Sequence, residues 1–225
     1  MKRFIAFTLA ETLIVIGVIG LVSALTLPNL NSSTGEKEKV AKVKKIYQNL
    51  TDAVGRAEAV YGPIDEWGGG SFAANGFQTE DGQKWAARIT EFLKTSSIQY
   101  SNADIILSTN EGKLDSISCS CTLADGTQLY FGSEFFEILV DIDGKTKGGK
   151  PTSGKDLFAF TFLQSSKVTT EIYPDGNNSS CFSSGHCTDW VIKYGNMDYL
   201  KANSTGVCKN NSSISLDGTT NTTCK

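Results

Sequence analysis

One stretch constrains the chain more than any other. From Phe7 to Pro28 nearly every residue is apolar, and the stub before it carries Lys2 and Arg3. A helix needs about 20 such residues to cross a hydrocarbon core, so the segment is long enough to span a membrane. Its unusual member is Glu11. A carboxylate at mid-bilayer costs roughly 2.5–3.5 kcal/mol on insertion scales, and less near an interface. The segment holds no cation to offset that cost, because no Lys, Arg or His occurs between Arg3 and Lys37. A charged partner for Glu11 has to come from elsewhere.

Three kinds of N-terminus compete for this pattern. A secretory signal is one, since Val22-Ser23-Ala24 has the small residues of a signal-peptidase site and Lys2-Arg3 a charged leader. A carboxylate inside the apolar region argues against it. A plain membrane anchor is the second, with Glu11 incidental. The third rests on a resemblance. A short basic leader ending at the small residue Ala6, then Phe7, then Glu11 four residues on, then an apolar helix with the late proline Pro28, resembles the N-terminal signal of type IV pilins and type II secretion pseudopilins.

The resemblance implies cleavage between Ala6 and Phe7 by a prepilin peptidase, with methylation of the new Phe7 amine. It implies that Glu11 neutralises the Phe7 amine of a neighbouring subunit as subunits leave the membrane for a homopolymeric or mixed filament. An inner-membrane platform protein and a cytoplasmic assembly ATPase are implied as the other partners. Localisation follows: a single pass through the bacterial inner membrane, the rest of the chain outside the cytoplasm, then a periplasmic or cell-surface filament.

The remainder divides as leader 1–6, apolar helix 7–28, amphipathic continuation 29–61 and a globular domain 62–225. Val40, Val43, Tyr47, Leu50, Val54, Ala57 and Tyr61 recur every three or four residues, which predicts a helix with one apolar face. Gly62-Pro63 ends it. Pro28 removes a backbone hydrogen bond at the join and predicts a kink or loosening there. Gly17 and Gly20 either permit close helix contact or simply reflect the normal frequency of glycine in membrane helices. The lysines from Lys37 to Lys45, interleaved with Glu36 and Glu38, read as a solvated helix face in preference to a lipid or subunit contact.

Past the helix, a connecting region runs from Ile64 to about Tyr100, with a flexible Gly68-Gly69-Gly70 turn and a short helix near Gln83–Leu93 using Trp85, Ile89, Phe92 and Leu93. From Ile105 the pattern is β. Ile117 to Leu123 and Gln128 to Phe131 flank Asp125-Gly126 as a hairpin. Phe135 to Ile142 is a third strand, and Leu157 to Leu163 pairs with Val168 to Tyr173 around Ser165-Ser166. A long N-terminal helix packed on an antiparallel sheet is an α+β fold, the same architecture that the resemblance implies.

Composition bounds the chemistry. A net charge of −3 gives no basis for nucleic-acid binding in general. Six cysteines behind an export segment point to disulfides formed outside the cytoplasm, with 15 full pairings open. Cys119 and Cys121 share one strand face and are expected to reach two different partners. Cys181 and Cys187 close a Ser/Gly turn, and Cys208 and Cys224 bracket a Ser/Thr/Asn-rich tail; the resemblance implies that this last pair is bridged.

Asp141-Ile142-Asp143-Gly144 and Asp156, and later Cys187 to Leu200, extend the resemblance more weakly over the C-terminal half. Through it Asp141, Asp143 and Asp156 form a calcium hypothesis, hard oxygen ligands near glycines. A turn in which Asp caps its own backbone is the competing reading. A zinc site using His186 with Cys119, Cys121 or Cys187 ranks below disulfides, and no nucleophile–base pair or hydrolase motif stands out, so no enzymatic role is expected. The Asn-x-Ser/Thr triplets at Asn178, Asn203, Asn211 and Asn221 follow from the tail's composition. The leading expectation is therefore a structural filament subunit. The alternatives are a minor pilin binding a surface or DNA, and a soluble domain released by signal peptidase.

Overall fold

The helix α1 runs over Leu9–Tyr61, and it ends where Gly62 takes φ 83° and Pro63 follows. The computed structural model describes residues 8–67, 80–110, 113–132, 137–144, 150–164 and 167–224. Two units emerge, Met1–Glu38 and Lys39–Lys225. Ala6, Phe7, the triple glycine, Phe135 and Ser165-Ser166 lie outside the described residues, as does the side chain of Pro28.

In the second unit, the predicted apolar stripe is buried at Val40, Val43, Leu50, Val54 and Ala57, joined by Ile46 and Ala53. Tyr47 is partly buried and Tyr61 exposed. The stripe belongs to one core with a six-stranded antiparallel sheet whose strands pair in chain order. The strands are β1 Thr95–Ser108, β2 Lys113–Leu123, β3 Gln128–Gly132, β4 Glu137–Asp141, β5 Leu157–Gln164 and β6 Lys167–Pro174. Each strand pairs with its sequence neighbour, as antiparallel hairpin connections allow. At the β2–β3 turn Asp125 Oδ1 accepts the Thr127 N–H at 3.1 Å and Gly126 supplies φ 86°.

Alternation sorts the sheet into two faces. Cys119, Cys121, Leu129, Phe131, Ile138, Val140, Phe158, Phe160, Phe162 and Ile172 form the face in the main core. Tyr47 stacks on Phe160 with ring centroids 5.6 Å apart, and Trp85 meets Phe162 edge-on at 4.7 Å. The opposite face carries a second apolar cluster of Ile117, Tyr130, Leu139 and Leu157. Ile117 shares sequence parity with Cys119 yet sits on the other face, because the β2–β3 register shifts between them.

The connecting region differs from expectation. Helix α2, Glu80–Thr90, buries Trp85, Ala86 and Ile89 but stops before Phe92 and Leu93, which lie in the following turn. Strand β1 then begins at Thr95, about ten residues earlier than the apolar pattern predicts. It is an edge strand, rich in serine at its start, with register irregularities that interrupt its pairing to β2. Such features are how exposed sheet edges resist pairing with other chains.

Two short helices follow, α3 Asn178–Ser184, which overlaps the stretch that reads as a Ser/Gly turn, and α4 Thr188–Tyr194. Asn177 starts α3: its side chain accepts the Ser180 N–H while Ser180 Oγ accepts the Asn177 N–H, a reciprocal cap. Gly185 and Gly195, both with positive φ, end the two helices.

Candidate functional site

The first candidate is the start of α1. Thr8 precedes the helix, and its N–H and Oγ1 both donate to Glu11 Oε2 at 2.8 Å, while the Glu11 N–H donates to Thr8 Oγ1 at 3.3 Å. This is a capping box, readable in advance from Thr8-x-x-Glu11 and absent from the expectations above. It gives Glu11 a local role, satisfying helix-end donors that would otherwise be orphaned. Both bonds go to one oxygen, Oε2.

Around Glu11 the helix surface is apolar and uncovered. Leu9, Leu13, Ile14, Val15, Ile16, Val18, Ile19, Leu21 and Val22 are each between 54% and 80% exposed. A Cβ placed on Gly17 or Gly20 would meet nothing within 4 Å. Among the described residues no helix is long and apolar enough to cross a membrane. Side chains of this unit are described from Thr8 to Ser23 and again from Gly35, so the span expected from Phe7 to Pro28 is covered in part.

The second candidate is the aspartate loop, where Asp141 forms the backbone-capping turn weighed against calcium. Asp141 Oδ1 accepts the N–H groups of Asp143 and Gly144 at 3.1 and 3.0 Å. Asp156 Oδ1 accepts the Thr152 N–H. Asp143 Oδ2 lies 3.5 Å from Lys39 Nζ. Each carboxylate is engaged by the protein, and among the described residues no group of three acidic, His or Cys side chains could hold a metal ion. Burial, partly offset by the two backbone bonds, raises the Asp141 carboxyl above its ordinary range.

The same contacts revise the lysine cluster. Lys39 also donates to the Lys155 carbonyl at 3.1 Å, Lys42 donates to the Ile142 carbonyl, and Lys45 sits 3.4 Å from Asp125 Oδ2. Spaced three apart, these lysines lie along one flank of α1. They fasten it to the β2–β3 turn and the segment after β4, so this flank is a docking edge where the charge pattern suggests only solvent.

The cysteines resolve into two bridges, Cys181–Cys187 and Cys208–Cys224, with Cα atoms 4.4 and 5.6 Å apart. The tail pairing is the one the resemblance implies. Cys119 and Cys121 are corrected: both are free thiols buried in the core. Their shared strand face is the core face, opposite Phe131 and Leu129 of β3, while the other four cysteines pair among themselves. Burial pushes both thiols up to about 12, so the nucleophilic thiolate is suppressed.

His186 lies within the Cys181–Cys187 loop, its Nδ1 2.5 Å from Asp175 Oδ2. The zinc alternative fails on these positions, since Cys187 is bridged and Cys119 and Cys121 sit in the core. Two concavities are lined by described residues of the second unit. One, about 440 Å³, borders the Cys181–Cys187 bridge and is lined by Phe182, Tyr199, Leu200 and Lys209 among others. The other, about 340 Å³, lies between α1 and the turn after α2, with Arg56, Lys94 and Phe92 in its walls. Neither brings together a nucleophile and a base.

Comparison with family models, with curated proteins and with solved structures returns no match.

Proposed function

We propose that this chain is the membrane-inserted precursor of a pilin-like filament subunit, of the type II secretion pseudopilus or type IV pilus kind, with a structural and not a catalytic role. The observation that carries the reading is the apolar surface from Leu9 to Val22 with one carboxylate, Glu11, at its start. A surface of that size is unstable in water and needs a cover. Lipid covers it in the precursor, where the segment from Phe7 to Pro28 crosses the inner membrane. Helices of neighbouring subunits cover it in the filament, approaching closely at Gly17 and Gly20.

In this account a prepilin peptidase cuts after Ala6 and methylates the Phe7 amine. Glu11 then pairs with the amine of an adjacent subunit, through Oε1, the oxygen that Thr8 does not occupy. Such a pair removes two isolated charges from an apolar bundle at once and fixes the register between subunits. An inner-membrane platform protein and an assembly ATPase supply the work of extraction. The disulfide-bearing domain lies outside the cytoplasm and decorates the filament.

Replacing Glu11 by Ala in the native host tests this. The account predicts that Glu11→Ala protein is still inserted in the membrane but is missing from sheared filament fractions. Incorporation at the wild-type level would remove the assembly role of Glu11.

A further inference from the structure

Alternation along the sheet brings a second set of titratable groups together, away from the N-terminal helix. Ile138, Phe160 and Ile172 point into the main core, so Glu137, Ala159, Thr161 and Tyr173 occupy the opposite face. Glu137 pairs across the ladder with Thr161, and Thr161 with Tyr173. One residue beyond β6, Asp175 donates its N–H to the Ala159 carbonyl at 2.9 Å. Glu137 and Asp175 therefore flank the same short stretch of β5. His186 reaches this place from the Cys181–Cys187 loop and meets Asp175. The loop is seated closely: a Cβ on Gly176 would fall 1.9 Å from the His186 carbonyl oxygen.

We propose that Glu137, Asp175 and His186 form a proton-operated latch, which clamps the disulfide-closed 181–187 loop to the outer face of the sheet in acid and releases it as pH rises from about 5 to about 8. In acid, the imidazolium lies against the Asp175 carboxylate and Glu137 is neutral. In alkali, the imidazole is neutral and two carboxylates share one partly desolvated place. β5 contributes Ala159 and Thr161, β6 contributes Glu171 with the Tyr173 hydroxyl donating to it at 2.8 Å, and α4 contributes Asp189, whose N–H donates to the Asp175 carbonyl. Among the described residues no lysine or arginine is ion-paired with Glu137 or Asp175.

The titration directions agree with this geometry. Burial, with the Asp175 charge adding to it, raises Glu137 to about 7, and the hydrogen bond that His186 donates to Asp175 raises His186. Both groups are raised in the fold. Each therefore contributes stability that is complete below its unfolded value and disappears as pH climbs through its folded value. For Glu137 the window runs from the ordinary 4.5 to about 7, and for His186 it lies above the ordinary 6.5.

The latch does not depend on filament assembly. Its test is amide hydrogen exchange of residues 175–188 in the full chain held in detergent, from pH 5 to 8.5 and corrected for intrinsic exchange. Protection in the wild type should fall by about tenfold or more across the range. Glu137→Gln, neutral and of the same shape, should keep protection high at the alkaline end. His186→Asn should lose the part of the pH dependence above about 6.5 and keep the part that Glu137 carries. Flat protection in the wild type overturns the latch, and so does a Glu137→Gln profile that tracks the wild type; that isosteric variant carries the test even where His186→Asn fails to fold.

Discussion

Removing the tail bridge gives the sharpest test of how the C-terminal region is held. Between Cys208 and Cys224 lies a polar segment that buries few large side chains, Leu216 among them. Its other ties are hydrogen bonds: Asn196 Nδ2 to the Thr222 carbonyl at 3.0 Å, Asn178 Nδ2 to the Asp217 carbonyl at 2.8 Å, and the Cys224 N–H to Asp198 Oδ2 at 2.9 Å. Asp217 Oδ1 adds a local knot by accepting three successive N–H groups, which holds its carboxyl down at about 2. With a sequence separation of 16, the bridge contributes about 3 kcal/mol by restricting the unfolded chain. The Cys181–Cys187 bridge, with a separation of 6, contributes about 2 kcal/mol on the same account. The assay is urea unfolding of the Cys208→Ala/Cys224→Ala and Cys181→Ala/Cys187→Ala double variants, reading the midpoint with the slope m as a check on the unfolded state. Both variants should be less stable than wild type, the tail variant more so. A tail loss below about 1 kcal/mol, or a larger loss from the shorter loop, would refute loop closure as the source of the stabilisation.

Other consequences follow from burial and charge. Leu50 is fully buried on α1, so Leu50→Ala should cost about 2–5 kcal/mol in the same urea assay, whereas Gln48→Ala on the exposed side should stay within about 0.5 kcal/mol. Cys119 and Cys121 should react with a thiol reagent at pH 8 only when denaturant unfolds the chain; fast reaction in native buffer would contradict their place in the core. Lys42→Met removes a charged donor from the Ile142 carbonyl and should destabilise by about 1.5–3 kcal/mol. Millimolar calcium or a chelator should leave the thermal midpoint unmoved, because Asp141, Asp143 and Asp156 already have protein partners; a clear rise with calcium would restore the metal site.

The parts of the fold governed by strong periodicity were legible in the residues. The stripe from Val40 to Ala57 and the strands of the Phe158-Ala159-Phe160 kind announce themselves because burial on one face leaves a pattern. Strand β1 does not, since an edge strand has one neighbour and its serine-rich start carries little apolar signal. Helices α3 and α4 were hidden for another reason: they are short, and α3 is started by the Asn177 cap and closed by Gly185 in sequence dense with turn formers. The partners of Lys39 and Lys42 are backbone carbonyls and a turn carboxylate, which no spacing along α1 reveals. Cys119 and Cys121 show the limit of cysteine counting, because an even number says nothing about which thiols the core removes from reach. Thr8-x-x-Glu11 was readable as a capping box, and was overshadowed by the apolar run behind it.

The central claim rests on where the mature chain begins. Intact mass and N-terminal sequencing of the protein recovered from its native host decide it. The account predicts a start at Phe7 bearing an N-methyl group. A start at Leu25 would contradict it, since signal peptidase would then have removed the apolar surface and Glu11 together, leaving a secreted soluble domain.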